Sequence, residues 1–184
     1  MKIIGISGSL RQASFNSGLL RAAQELAPDG MDIEIADISG IPLYNADGEA
    51  TGLPASVQQL GEQVRLADGV LIATPEYNYS IPGGLKNAID WVSRADNQPF
   101  DGKPVAIMGA SMGNLGTARA QYHLRQIFVF LNGMVMNRPE VFVGAAHDKH
   151  DNDGNLIDQG TRDFLAGYLK TVEDWVEKIR RTNG

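Results

Sequence analysis

Apolar and polar positions along this chain follow two different rhythms. Short, nearly unbroken apolar runs occupy residues 3–7, 32–36, 69–74, 104–109 and 140–143. Runs of that length and continuity suit strands buried on both faces. Between them lie longer segments with apolar positions at helical spacing: 17–27, 54–67, 85–94, 117–131 and 161–181. The alternation predicts five β-α pairs and a parallel sheet covered by helices on both faces. Two polar stretches, 37–53 and 147–155, break the rhythm and read as surface loops. No repeat, low-complexity tract or linker divides the sequence, which predicts one domain over residues 1–184.

Right-handed crossovers turn such a chain into an α/β fold, a three-layer α/β/α sandwich. Five parallel strands favour the flavodoxin-like order 2-1-3-4-5. Ligands of these sheets bind beyond the carboxyl ends of the strands, where the strand order reverses. Three connections are thereby singled out, those after the first, third and fourth strands: 7–17, 74–84 and 109–116.

The first of them lies within KIIGISGSLRQASFN, residues 2–16, a buried strand running through small and hydroxyl residues into a helix. A helix start offers unpaired N–H groups and a positive dipole end, which suit a phosphate. The spacing fits neither common phosphate loop. No lysine follows Gly8 as GxxxxGK[ST] requires, and the third glycine of GxGxxG is missing after Gly5 and Gly8. Hydroxyls with one fixed cation, Arg11, suit a terminal monophosphate, although turn chemistry alone also selects Ser, Gly and Asn.

The second connection, TPEYNYSIPGG (74–84), sets two tyrosines, an amide and an acid between prolines that fix the backbone. A rigid wall with aromatic surface suits a planar heterocycle. The same residues could form a stiff turn packed on the next helix. The third connection, GASMGNLG (109–116), is dense in glycine and can approach the same ring with backbone groups and the Ser111 hydroxyl. Hydrolytic chemistry finds no convincing constellation. His147, Asp148, His150 and Asp151 lack a partner cluster for a metal, and Ser111 lacks an identifiable triad, with only His147 and His150 late in the chain. Glu76 is a candidate acid or base, or a hydrogen-bonding group.

Composition narrows the chemistry further. There is no cysteine, which excludes disulfides, thiol nucleophiles and cysteine-ligated clusters, so any redox step needs a bound cofactor. A net charge of −6 argues against nucleic acid and anionic membrane surfaces as partners. A strand beginning at Lys2 and the lack of a membrane-length apolar run make the cytoplasm the expected location.

Taken together, GSLRQASFN, PEYNYSIPGGLKNAIDW and SMGNLGTARAQYHLR resemble the NAD(P)H-dependent FMN reductase family, and within it the quinone and chromate reductase branch. The similarity runs over almost the whole chain, and the second motif is long enough to be highly specific. The resemblance implies a flavodoxin-like fold, non-covalent FMN and NAD(P)H as electron donor. It places Ser9, Leu10, Arg11, Ser14, Phe15, Asn16 and Ser17 around the FMN phosphate. Pro75, Glu76, Tyr77, Asn78 and Tyr79 would line the isoalloxazine, and Ser111, Met112, Gly113 and Gly116 would close the site. Hydride transfer through flavin N5 then needs no catalytic side chain and no metal. The implied activity is two-electron, ping-pong reduction of quinones, with chromate, azo or nitroaromatic acceptors as extensions. Alternatives are a flavin reductase that releases reduced FMN and a flavodoxin-type electron carrier.

The family also implies dimers or tetramers, and the sequence carries its own signal for them. Segment 122–131, YHLRQIFVFL, is more apolar around its circumference than a surface helix, which predicts burial in the core or in a homo-oligomer interface. Tyr79, Arg119, Tyr122 and Glu140 are candidate polar partners in that interface.

Overall fold

Ile3, Leu71, Ala106 and Met108 face one side of a sheet, while Ile4, Ile6, Val70, Ile72, Val105 and Ile107 face the other. This period-two partition of uniformly apolar strands needs a helical layer on each side. The computed structural model describes residues 1–183. In chain order they form β1 (Lys2–Ser7), α1 (Phe15–Leu26), β2 (Asp32–Ala36), α2 (Ala46–Glu49), α3 (Ala55–Leu66), β3 (Gly69–Ala73), α4 (Gly83–Val92), β4 (Pro104–Ala110), α5 (Ala118–Phe130), β5 (Met134–Val135), β6 (Val141–Val143), a 3-10 turn (Ala146–Asp148) and α6 (Gln159–Asn183). All pairings between these strands are parallel, in the order β2-β1-β3-β4-β5 with β6 also on β4. Helices α1 and α6 cover the first face, and α3, α4 and α5 cover the second. Every residue of β3 and β4 is buried, as their central place demands.

Six strands form where the apolar pattern predicts five. Met134 and Val135 pair with Pro104 and Val105, and Val141–Val143 pair with Met108–Ala110, so two short strands share one edge of β4. Pro139 lies between them and has no N–H to give to a ladder. A two-residue strand is also too short to show a period. The stretch 37–53 likewise holds a short helix, α2, whose start is capped by the Asn45 side chain accepting from the Asp47 N–H.

The polar stretch 147–155 is not a free surface loop. His150 is only 6% exposed, and the segment packs against α1. Gly18 makes this possible, because a Cβ there would collide with the Gly154 carbonyl. Gly154 itself has φ +76 and lies against the backbone of Ala13 and Ser14. Along α5, Ala120, Gln121, Leu124 and Phe128 are buried while Tyr122, Val129 and Phe130 stay exposed. Much of that helix's apolar surplus therefore lies outside the core.

Candidate functional site

Loop β1–α1 is shaped by its own hydroxyls. The Ser9 N–H donates to Ser7 Oγ and the Arg11 N–H to Ser9 Oγ, both at 3.3 Å. Ser14 caps α1 by accepting from the Ser17 N–H, and Ser7 and Ser17 share a hydroxyl hydrogen bond of 2.9 Å. The N–H groups of Phe15 and Asn16, first in the helix, have no partner among the described residues. Arg11 forms no ion pair among the described residues, and its guanidinium sits 4.9 Å from the Phe15 ring centroid. An unpaired cation beside unpaired N–H groups at a helix start is a dianion cradle. Asn16 also reaches across the sheet edge, where its amide donates to the Ala110 carbonyl at 3.0 Å and accepts the Ala110 N–H at 2.9 Å. That buried pair ties the first loop to the end of β4.

In the β3–α4 loop, Tyr77 and Ser80 exchange two backbone hydrogen bonds of 3.0 Å around Asn78 and Tyr79. Both central residues have positive φ, +50 and +66, the signature of a type I′ turn. Asn tolerates this conformation; tyrosine is strained in it. The Tyr79 ring is covered by the Arg119 guanidinium at 3.9 Å. Arg119 also pairs with Glu76 at 3.2 Å, and the Glu76 carboxylate accepts the Ala120 N–H. Glu76 is thus committed to α5 and is not a free acid or base.

The β4–α5 loop lies against both others. The Ser111 N–H donates to the Val143 carbonyl, and its hydroxyl donates to the Gly113 carbonyl. A Cβ on Gly109 would collide with Thr117 Oγ1 and the Thr74 carbonyl, so only glycine lets the second and third loops meet. Gly116 has φ +54 and packs on the Phe142–Val143 backbone.

The three loops enclose a cavity of about 460 Å³, within the usual size of small-ligand sites. Its wall includes Ser9, Arg11, Ser14, Phe15, Asn16, Pro75, Glu76, Tyr77, Ser111 and Met112, together with Ala110. Leu10 and Ser17 line the adjoining depression of about 350 Å³, which Ser9 and Arg11 share and Asp37 and Ser39 border. Asn78, Tyr79, Gly113 and Gly116 are not on the cavity wall. Ala110 and Asp37 had no sequence signal, since a strand-end alanine and a loop aspartate are ordinary at such positions. Arg119 enters the site through Glu76.

This arrangement suits a ligand with an anionic tail and a flat body. Arg11 and the start of α1 lie on the wall of the cavity where a tail would sit, and Pro75, Glu76 and Tyr77 line it together with Ser111 and Met112. Both requirements match FMN. The His150 ring contacts Phe15 and hydrogen-bonds Ala146, His147 lies beside Asp148, and among the described residues neither histidine hydrogen-bonds Ser111. Among the described residues, no group of three His, Asp or Glu side chains could hold a metal ion. No described helix is long and apolar enough to cross a membrane.

Comparison with known proteins gives the family. A family model described as NADPH-dependent FMN reductase matches residues 1–148. The chain is 54% identical to an NAD(P)H-dependent FMN reductase of Pseudomonas aeruginosa, over 98% of this chain and 97% of that one. It is 50% identical to a quinone reductase of Escherichia coli K12, over 98% and 97%. Among solved structures, it is similar to FerB, a flavoenzyme NAD(P)H:(acceptor) oxidoreductase of Paracoccus denitrificans. The TM-score is 0.86 and the identity 36%, with 96% of this chain and 97% of that one covered.

Proposed function

We propose that this chain, which belongs to the NADPH-dependent FMN reductase family, holds FMN non-covalently between its three loops and reduces quinones with electrons from NAD(P)H. The observation that carries the reading is the cradle at the start of α1: among the described residues Arg11 has no acidic partner, and the N–H groups of Phe15 and Asn16 beside it have no partner either. Bound FMN supplies two-electron hydride chemistry, which no side chain here offers.

The chain's residues bind and orient. Ser9, Arg11, Ser14 and the first turn of α1 take the phosphate, with Leu10 and Ser17 on its outer side. Pro75, Glu76 and Tyr77 hold one edge of the ring system, stiffened by the Asn78–Tyr79 turn. Ser111 and Met112 hold the other, with Gly113 and Gly116 setting the loop's course. Tyr77 and Met112 are 52% and 66% exposed, which leaves an open apolar rim where donor and acceptor can dock in turn. Two large, exposed side chains at the rim favour broad acceptor choice, extending to chromate, azo and nitroaromatic compounds. The exposed face of α5 supports assembly as a homodimer or homotetramer.

Apoprotein titrated with FMN tests the reading. It should form a yellow one-to-one complex that oxidises NAD(P)H when a benzoquinone is added, with parallel double-reciprocal lines. Failure to bind FMN would overturn the cofactor assignment. Intersecting lines would overturn the ping-pong order alone.

A further inference from the structure

His150 is buried beneath the start of α1, far along the chain from the loop it supports. Its ring lies 4.9 Å from that of Phe15 at an interplanar angle of 44°, and the Arg11 guanidinium lies 4.9 Å from the same Phe15 ring. His150, Phe15 and Arg11 therefore form a continuous relay of contacts from the 145–158 segment to the one unpaired cation of the site. Nδ1 of His150 sits 2.8 Å from the Ala146 carbonyl, which can only accept, so Nδ1 carries the proton. Nε2 is buried without a hydrogen-bond partner.

The segment that carries His150 is tied to itself and to α1. Asp151 organises a turn by accepting from the N–H groups of Asp153 and Asn155 and from the Asn155 amide. Arg21 of α1 donates to Asn155 Oδ1 at 2.9 Å and to the Asp153 carbonyl at 3.3 Å. Gly154 rests on the Ala13–Ser14 backbone, and His150 and Leu156 form an isolated bridge. This bracing fits an element that sets where Phe15, and through it Arg11, can stand.

We propose that His150 is a positioning residue for the FMN phosphate: its ring fixes Phe15, and Phe15 holds the Arg11 guanidinium over the N-terminus of α1. The proposal rests on the phosphate assignment made above. His150 touches no ligand under this reading, and its influence should be felt by the phosphate and not by the ring system.

Paired titrations of apoprotein with FMN and with riboflavin, which lacks the phosphate, separate the possibilities. The wild-type protein should prefer FMN. His150→Asn keeps an N–H for Ala146 but removes the ring. It should raise the FMN Kd about three- to tenfold, the range an aromatic contact spans, and leave the riboflavin Kd unchanged. In a Phe15→Leu background the same substitution should have little further effect. Equal losses for both ligands, no loss for either, or a full His150 effect without Phe15 would each overturn the proposal. A wild-type protein that binds both ligands equally would instead overturn the phosphate assignment beneath it. If His150→Asn does not fold, Asn155→Ala, which releases the exposed tie to Arg21, should lower the FMN-to-riboflavin preference. An unchanged preference in that variant would overturn the proposal equally.

Discussion

The Glu76 carboxylate accepts the backbone N–H of Ala120 at 3.1 Å while also pairing with Arg119, joining the second loop to the first turn of α5. Thr117, at the N-cap position, makes no side-chain capping bond, so Glu76 supplies the cap from another part of the chain. Its side chain is only 12% exposed, and Arg119 is 42% exposed, so the hydrogen bond to Ala120 outweighs the solvent-screened ion pair. Glu76→Ala should therefore destabilise the apoprotein by about 1–2 kcal/mol, the usual cost of a lost cap. Glu76→Gln keeps an acceptor for Ala120 and should recover more than half of that. Urea unfolding with an unchanged m value measures both. Equal stability of the two variants would show that charge, not capping, carries the contact.

Arg11 offers the opposite case, a charged residue with no acidic partner among the described residues and only the Phe15 ring beside it. Arg11→Ala should weaken FMN binding by about 1.5–3 kcal/mol, the value of a hydrogen bond to a charged group. Apoprotein stability should stay within about 0.5 kcal/mol of wild type, as for a surface substitution. Arg11→Lys keeps the charge but loses the planar fork and should recover only part of the affinity. Calorimetric titration gives the dissociation constants, and an unchanged value for Arg11→Ala would remove the phosphate assignment.

Strand positions and the binding edge were legible because runs such as Ile3-Ile4 and Val70-Leu71-Ile72 must be buried on both faces, and only a central parallel sheet does that. The three loops followed from topology. Contacts between them were not legible. Asn16 reads as a helix-start residue, and nothing local announces that its amide bridges to Ala110, 94 residues away. Glu76 reads as a loop acid for the same reason. His150 sits in DKHDNDGN, which looks solvated; the missed signal was Gly18, a glycine inside an amphipathic helix that allows another backbone to approach. The divided β5–β6 edge escaped because its first piece has two residues.

Tyr122 and Val129 are seven residues apart on α5, hence on one stripe, and they are 56% and 81% exposed beside Phe130 at 92%. Three large apolar groups clustered on one helix form a patch suited to a second copy of the chain. Phe130→Glu should place a charge in that contact and shift the sedimentation mass towards the monomer at micromolar concentration. The fold should be unaffected, since Phe130 does not enter the core. A mass that is identical for both proteins at every concentration would exclude this face as the interface.

Acid sensitivity should come in two separate windows. Burial holds the His150 imidazole below its ordinary value of 6.5, offset in part by the Ala146 and Phe15 carbonyls and by Asp151, with Arg21 adding to the depression. The unfolded chain therefore takes up a proton at His150 before the folded one does. Stability from this group is intact above pH 6.5 and falls as the pH drops through and below it, with a slope of at most about 1.4 kcal/mol per pH unit. Asp37, Asp151 and Asp158 are held below their ordinary 3.8, chiefly by the Ser39 N–H, the Asn155 N–H and the Thr161 hydroxyl respectively. Their contribution is present above pH 3.8 and disappears only as the pH falls through their lower folded values. Urea unfolding of the apoprotein from pH 8 to 3 should show both declines, free of the FMN phosphate, which itself titrates near pH 6. His150→Asn should abolish the decline that begins near pH 6.5 and leave the acidic one in place. If the variant keeps the upper decline, another group is responsible and His150 is not the buried neutral imidazole described here.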